Sequence, residues 1–222
     1  LHELLCRLVE VGGRIHSPIQ FGTAAERYRL MPVIDLWVVG AALDSIGNIR
    51  FEDDFSAAFT INLSGQSFGN AELKMLILEQ LEKLQIPPRR VLFEITETAA
   101  ISNLQRVAHF MSEVKKRGCE FSLDDFGSGL SSFTYLKNLP VDYLKIDGHF
   151  VKNLTHDRID QTMVAAITSV GNAMGIRTVA EHVDSQDVLD TLTTIGVEFA
   201  QGFLIAKPRP VAEFPRTAAG RR

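Results

Sequence analysis

Positive charge is in short supply in this chain: 23 Lys and Arg stand against 27 Asp and Glu over 222 residues, a formal net charge of -4. That balance excludes a sequence-independent grip on a nucleic-acid polymer, which needs a basic face. An anionic ligand must then meet a local positive source, either a metal ion or a few placed Lys and Arg. Cysteine is scarce too. Cys6 and Cys119 are the only two and have no ligand-like spacing, which excludes a disulfide framework and reads as reduced, buried residues of a cytoplasmic protein. No apolar run is long enough to span a bilayer and no signal peptide opens the chain, so no membrane contact is expected from it. The expected location is the cytoplasm, as a free protein or as the cytoplasmic domain of a larger, membrane-attached one. The six histidines (His2, His16, His109, His149, His156 and His182) are scattered without ligand spacing.

What is present is an ordinary globular composition, 45% hydrophobic and 23% charged, enough to build a sizeable core. The length fits one large α/β domain or two small ones. Strand and helix patterns alternate. Residues 59–63 alternate as a strand, and 71–84 follow with helical spacing behind the N-cap Asn70. Pro87-Pro88 stops that helix, and 91–95 form the next strand. Ser102 is expected to cap a helix to about Lys116, ended by Gly118. A strand over 119–123 follows, then a short helical stretch over 131–137 ending at Pro140, and a strand over 143–147. A long helix over 158–174, a strand over 176–180, a helix capped by Asp184 or Ser185 and running to Ile195, and a strand over 198–203 complete the series. Residues 215–222 read as a frayed, basic tail. Repeated strand-helix units imply a parallel sheet covered by helices, either a closed (β/α)8 barrel or an open doubly wound sheet. No Gly-x-Gly-x-x-Gly turn follows the first strand, which weakens the dinucleotide-binding version. No linker or internal repeat interrupts the pattern, so one domain is the simpler reading.

Ser122-Leu123-Asp124-Asp125-Phe126-Gly127-Ser128-Gly129 is the most informative stretch, two adjacent carboxylates running into a glycine-rich turn. Such a pair caps a helix, faces water or holds a cation. The cation reading gains weight because polar residues close the other strands as well: Asn62, Glu94 with Glu97, Lys145 with Asp147, Glu181 and Gln201. In a parallel barrel these would converge on the rim where barrel active sites lie. Carboxylates gathered there need a cation, and hard oxygen donors suit Mg²⁺ or Mn²⁺ rather than zinc. Shared carboxylates are suited to bridge two cations that clamp an in-line attack on phosphorus. Lys145 among these acids would orient the attacking water or neutralise developing charge.

Glu3-Leu4-Leu5 with Arg7, Asn62-Leu63-Ser64, Glu94-Ile95-Thr96-Glu97, Asp124-Asp125-Phe126-Gly127, Lys145-Ile146-Asp147, Ala180-Glu181 and Gln201-Gly202-Phe203 appear in this order. Together they resemble the EAL domain family, bacterial phosphodiesterases that linearise cyclic di-GMP, and the resemblance covers the chain to about Pro210. It implies a (β/α)8 TIM-like barrel with one antiparallel strand, and Mg²⁺- or Mn²⁺-dependent cleavage to pGpG in second-messenger signalling. By matching motif, Glu3, Asn62, Glu94 and Asp124 are implied as ligands of one metal. Asp124 and Asp125 are implied for the second, with Glu181 as ligand or base. Lys145 matches the lysine near the nucleophilic water, and Glu97 the residue that anchors the loop 126–132. Arg7 and Gln201 match substrate contacts, and Asp147 and Asp184 are expected to bind substrate as well. The family also implies a homodimer and an upstream sensory or diguanylate-cyclase module.

Three departures from the family pattern stand out. His182 and Asp184 replace the usual Gly and Glu, and Ser128 and Leu130 replace the commoner Thr and Tyr. The strand that precedes the Glu-x-Leu motif in the family, and its Gln-Pro substrate contact, is absent, and it is expected to lie outside this sequence. The expected activity is phosphodiesterase, since every metal-site candidate is retained. The alternative is a receptor module that binds cyclic di-GMP without cleaving it. The kinase metal triplet that Asp125-Phe126-Gly127 also matches lacks its companion motifs.

Overall fold

A computed structural model describes residues 1–49, 57–128 and 133–214. In chain order the elements are β1 (His2–Leu4), β2 (Leu8–Val9), β3 (Ile15–His16), α1 (Pro18–Arg27), α2 (Met31–Gly47), β4 (Phe59–Asn62), α3 (Ala71–Lys83), β5 (Val91–Thr96), α4 (Glu97–Ser102), α5 (Leu104–Lys115), β6 (Glu120–Phe126), β7 (Tyr143–Ile146), α6 (Gly148–Lys152), α7 (Arg158–Met174), β8 (Arg177–Ala180), α8 (Gln186–Ile195) and β9 (Phe199–Ala200). No helix among the described residues is long and apolar enough to cross a membrane. Contacts divide the chain into two compact units. One holds Leu1–Glu94, Gln105–Glu120 and the chain from Pro210 on, and the other holds Ile95–Leu104 and Phe121–Arg209.

In the first unit β1, β4 and β5 pair in parallel, with Glu3 opposite Thr60 and Asn62 opposite Glu94. Parallel strands need long crossovers, and α1, α2 and α3 supply them. α3 follows the sequence pattern closely. The Asn70 side chain accepts from the N–H groups of Glu72 and Leu73, and Leu73, Ile77 and Leu81 bury one face. α3 also packs against α2, and each buried aliphatic contributes about 1.5–3 kcal/mol. α2 is apolar nearly all round, and its single buried charge is Asp35. The antiparallel pairing found among the described residues is the separate ribbon β2–β3.

In the second unit β6, β7, β8 and β9 run in parallel. α7 lays Val164, Ile167, Thr168 and Gly171 against them. A Cβ at Gly171 would meet the Ile176 carbonyl and Thr178 at 3.0 Å, so glycine permits the close helix–strand approach. Asp157 caps this helix by accepting from the N–H groups of Ile159 and Asp160.

Several boundaries differ from the sequence reading. A single helix from Ser102 is replaced by two, α4 capped by Thr96 and α5 after a break at Asn103. Ser102 ends the first of them, its hydroxyl turned back onto the Ala99 carbonyl. Threonine at the strand end caps as well as serine does, which the hydrophobic pattern alone does not show. β6 runs on to Phe126 and includes the acidic pair, whereas β9 shrinks to two residues. The helical turn expected over 131–137 is a 3₁₀ turn at Tyr135–Asn138; residues 131 and 132 lie outside the described residues, as does the tail 215–222. Cys119 is buried, while Cys6 is only half-buried.

Candidate functional site

The first unit gathers three of the expected ligands at the carboxyl ends of its strands. Glu3 lies on β1, Asn62 ends β4 and Glu94 lies on β5. The Asn62 side-chain amide donates to Glu3 Oε1 at 2.8 Å, and Glu94 sits opposite Asn62 in the ladder. Glu94 is buried, and the Leu63 N–H donates to its carbonyl at 2.8 Å. Arg7 is exposed, its guanidinium donating to the Cys6 carbonyl at 2.7 Å.

In the second unit the acidic pair is shaped by a β-bulge. Leu123 pairs with Leu144 and Phe126 with Ile146, so Asp124 and Asp125 together stand against the single residue Lys145. Neighbouring residues on a regular strand face opposite sides. The bulge cancels that alternation, and Asp125 takes a left-handed backbone conformation, φ 55°. A carboxylate oxygen from each of Asp124, Asp125 and Glu181 then falls within 4.8 Å of the others. Three acids so close repel one another. Lys145, on the neighbouring strand and only 2% exposed, places its ammonium 2.7 Å from Glu181 Oε1 and 3.1 Å from Asp124 Oδ1. Burying an ammonium is costly without such partners.

Burial raises the Asp125 carboxyl above the usual carboxylate range, and the charges of Asp124 and Asp147 push in the same direction. Lys145 and His182 oppose the shift. A dication at this point would reverse the balance, because its charge outweighs those of its neighbours. The donor set is oxygen only, which suits Mg²⁺ or Mn²⁺, so the residues fit the cofactor the motifs imply.

Glu97 starts α4 from a buried position. Its Oε2 accepts from the Gly127 N–H at 3.0 Å, and its Oε1 accepts from the Tyr135 hydroxyl. Burial and the Glu97 charge hold the Tyr135 phenol well above its ordinary value. Asp147 caps α6, accepting from the His149 N–H at 2.7 Å. Gln201 follows β9, with its N–H on the Ala180 carbonyl and its carbonyl taking the Val183 N–H. Asp184 is exposed just ahead of α8.

Three contributors were not singled out from the sequence. Tyr135 carries no signal in a stretch of ordinary composition. Gly148 opens α6 directly after its cap Asp147 and looks like any helix-start glycine. Asp35 did leave a sign, a lone carboxylate in an otherwise apolar helical run.

The strand-end acids, the bulge and the buried lysine define a helix-covered parallel sheet with an oxygen-donor cluster at the strand ends. The EAL domain family model matches residues 1–208, and the chain belongs to that family. It is 45% identical over 96% of its length to the cyclic di-GMP phosphodiesterase PdeB of Shewanella oneidensis, and 32% identical over 96% to PdeF of Escherichia coli. The chain spans 25% and 28% of those two relatives. Among solved structures it resembles the PaMucR phosphodiesterase in complex with c-di-GMP, with a TM-score of 0.86 and 30% identity over 95% of this chain and 85% of that one. It also resembles the Xanthomonas citri FimX EAL domain in complex with c-di-GMP, with a TM-score of 0.86 and 28% identity over 94% of this chain and 81% of that one. These likenesses establish the α/β class, a mostly parallel seven-stranded sheet with helices, as in the solved EAL domains.

Proposed function

We propose that this domain hydrolyses cyclic di-GMP to linear pGpG with the help of Mg²⁺ or Mn²⁺, two ions per site. The observation that carries the reading is the β6 bulge, which turns Asp124 and Asp125 toward one another and toward Glu181 around the Lys145 ammonium. A structural ion pair would need one carboxylate; three with a single lysine leave negative charge to be neutralised by a bound cation. Asp124, Asp125 and Glu181 are assigned as metal ligands, and the motifs assign Glu3, Asn62 and Glu94 the same role. When bound, divalent cations neutralise phosphate charge and lower the pKa of a coordinated water.

Lys145 would orient the attacking water and offset charge that builds on phosphorus oxygens in the transition state. Glu181 holds the proton the water gives up. The new P–O bond forms as the bond to the 3′ oxygen breaks, and that oxygen takes up a proton from solvent to leave as a hydroxyl, which gives a 5′-phosphorylated linear product. Glu97 acts at one remove, holding the turn at Gly127 that follows the acidic pair. Arg7, Gln201, Asp147 and Asp184 are assigned to the substrate. The relatives named as phosphodiesterases and the solved EAL domains in complex with c-di-GMP support this substrate.

The reading extends to a cytoplasmic homodimer working beside a sensory or diguanylate-cyclase module, which light scattering and the sequence of the intact protein test. The activity is tested by incubating the protein with cyclic di-GMP and Mn²⁺ and separating the nucleotides. Formation of pGpG supports the enzyme; tight binding without product makes the domain a receptor.

A further inference from the structure

The loop after β4 is tied to a buried carboxylate that no metal or substrate role explains. Asp35 is 4% exposed in the middle of α2, with apolar residues before and after it. An uncompensated carboxylate there would be strongly unfavourable. Among the described residues its compensation comes from one place. Asp35 Oδ2 accepts the Ser64 N–H at 2.9 Å and the Ser67 hydroxyl at 2.5 Å. Ser64 in turn caps the 3₁₀ turn Gly65–Ser67 by accepting from the Gln66 N–H, and the Gln66 side chain donates to the Glu26 carbonyl at 2.8 Å. The loop is therefore fastened to both α1 and α2.

Asn62 lies two residues ahead of Ser64 and is exposed, so packing does not hold its side chain. Its backbone is fixed from two directions, by the Leu63 N–H on the Glu94 carbonyl and by the Asp35 anchor just beyond. We propose that Asp35 is a positioning residue, whose two hydrogen bonds to the Ser64–Ser67 turn aim the Asn62 amide at Glu3. The inference rests on the reading of Asn62 as a metal ligand, and it deepens that reading. Hydrogen-bonding capacity, not charge, is the property that matters, because a single carboxylate oxygen accepts both donors. An amide carbonyl accepts them as well.

The test compares the wild-type chain with Asp35→Ala, Asp35→Asn and Ser67→Ala. Mn²⁺ affinity is measured by calorimetry, and the Asn62 side-chain amide signals by NMR in the metal-free protein. Loss of an outer partner of a metal ligand lowers affinity by about 10–100-fold, and Asp35→Ala is expected in that range, with Asp35→Asn within about threefold of wild type. The Asn62 signals shift in Asp35→Ala and Ser67→Ala and stay in place in Asp35→Asn. Asn62 signals and Mn²⁺ affinity unchanged in Asp35→Ala overturn the proposal. If that variant does not fold, the same two measurements on Ser67→Ala decide. A wild-type protein that binds no Mn²⁺ would defeat the metal reading alone, and the Asn62 signals would still report on Asp35.

Discussion

The His182 ring occupies the space that any side chain at position 148 would need: a Cβ on Gly148 would lie 2.1 Å from His182 Cδ2 and 2.8 Å from its Cγ. His182 itself holds φ at 55°, a left-handed conformation that glycine adopts more readily. The usual family glycine at that position would therefore be unstrained, and this chain accepts strain to carry an exposed imidazole beside Glu181.

The pair should behave as a unit. Gly148→Ala alone is expected to cost about 1–3 kcal/mol, because the new methyl group overpacks against the ring. His182→Gly exchanges backbone strain for chain entropy and should stay within about 1 kcal/mol of wild type. The double variant should recover much of the loss, with a coupling of about 0.5–3 kcal/mol in a double-mutant cycle from urea unfolding. Strict additivity would mean that His182 does not confine position 148.

Lys145 and Asp124 should separate binding from chemistry. Lys145 is the positive charge found among three carboxylates, so Lys145→Met removes a competitor for the same oxygens. Mn²⁺ affinity should hold or rise while turnover falls by about 100-fold or more, the loss expected of a transition-state donor. Asp124→Asn should lower both, since the proposed two-metal site has Asp124 as a ligand shared by two ions. Ca²⁺ should support binding without turnover, its looser shell placing the water poorly. Calorimetry beside a pGpG assay reads all three, and full turnover in Asp124→Asn would remove the two-metal proposal.

Burial raises the Asp35 carboxyl above its ordinary 3.8, and the Ser67 and Ser64 hydrogen bonds offset only part of the shift. The sign follows from the unfolded chain losing its proton first as pH rises. The stabilising contribution is fully present below pH 3.8 and is lost as pH rises through the folded-state value. Asp35→Asn lacks this titration. Its stability relative to wild type should therefore climb from about pH 4 upward and level off once Asp35 is ionised in both states. Urea unfolding at several pH values measures the difference. A difference that does not change with pH would show that Asp35 has an ordinary pKa.

The order of strands and helices was legible from residue 59 onward because parallel sheets declare themselves in short apolar runs closed by polar residues. The α7 boundaries came directly from its apolar spacing and the strand after it. The bulge was not legible. Asp124-Asp125 looked like the residues just past a strand, and only the ladder shows the strand continuing to Phe126 with both acids opposite Lys145. A register shift depends on the partner strand, which local pattern does not contain. The region from residue 8 to 47 was also missed, since a short ribbon and an all-round apolar helix offer no clear period. The strand-end acids were found because each closes its own run; Asp35 and Tyr135 act through residues remote in sequence.

Tyr135 gives the last prediction. Its hydroxyl donates to Glu97, which also accepts the Gly127 N–H, so one buried carboxylate joins the 3₁₀ turn to the end of β6. Removing the hydroxyl in Tyr135→Phe leaves Glu97 with one donor fewer and should cost about 1–3 kcal/mol at neutral pH, as hydrogen bonds to a charged group do. The cost should shrink in alkali. The unfolded phenol ionises near its ordinary 10.0, whereas the folded one stays protonated to higher pH. Wild-type stability therefore falls as pH rises above 10.0, and Tyr135→Phe does not share that fall. Unfolding of both proteins between about pH 8 and 11 should show the two stabilities converging. Parallel curves over that range would mean that the Tyr135 hydroxyl is not held by Glu97.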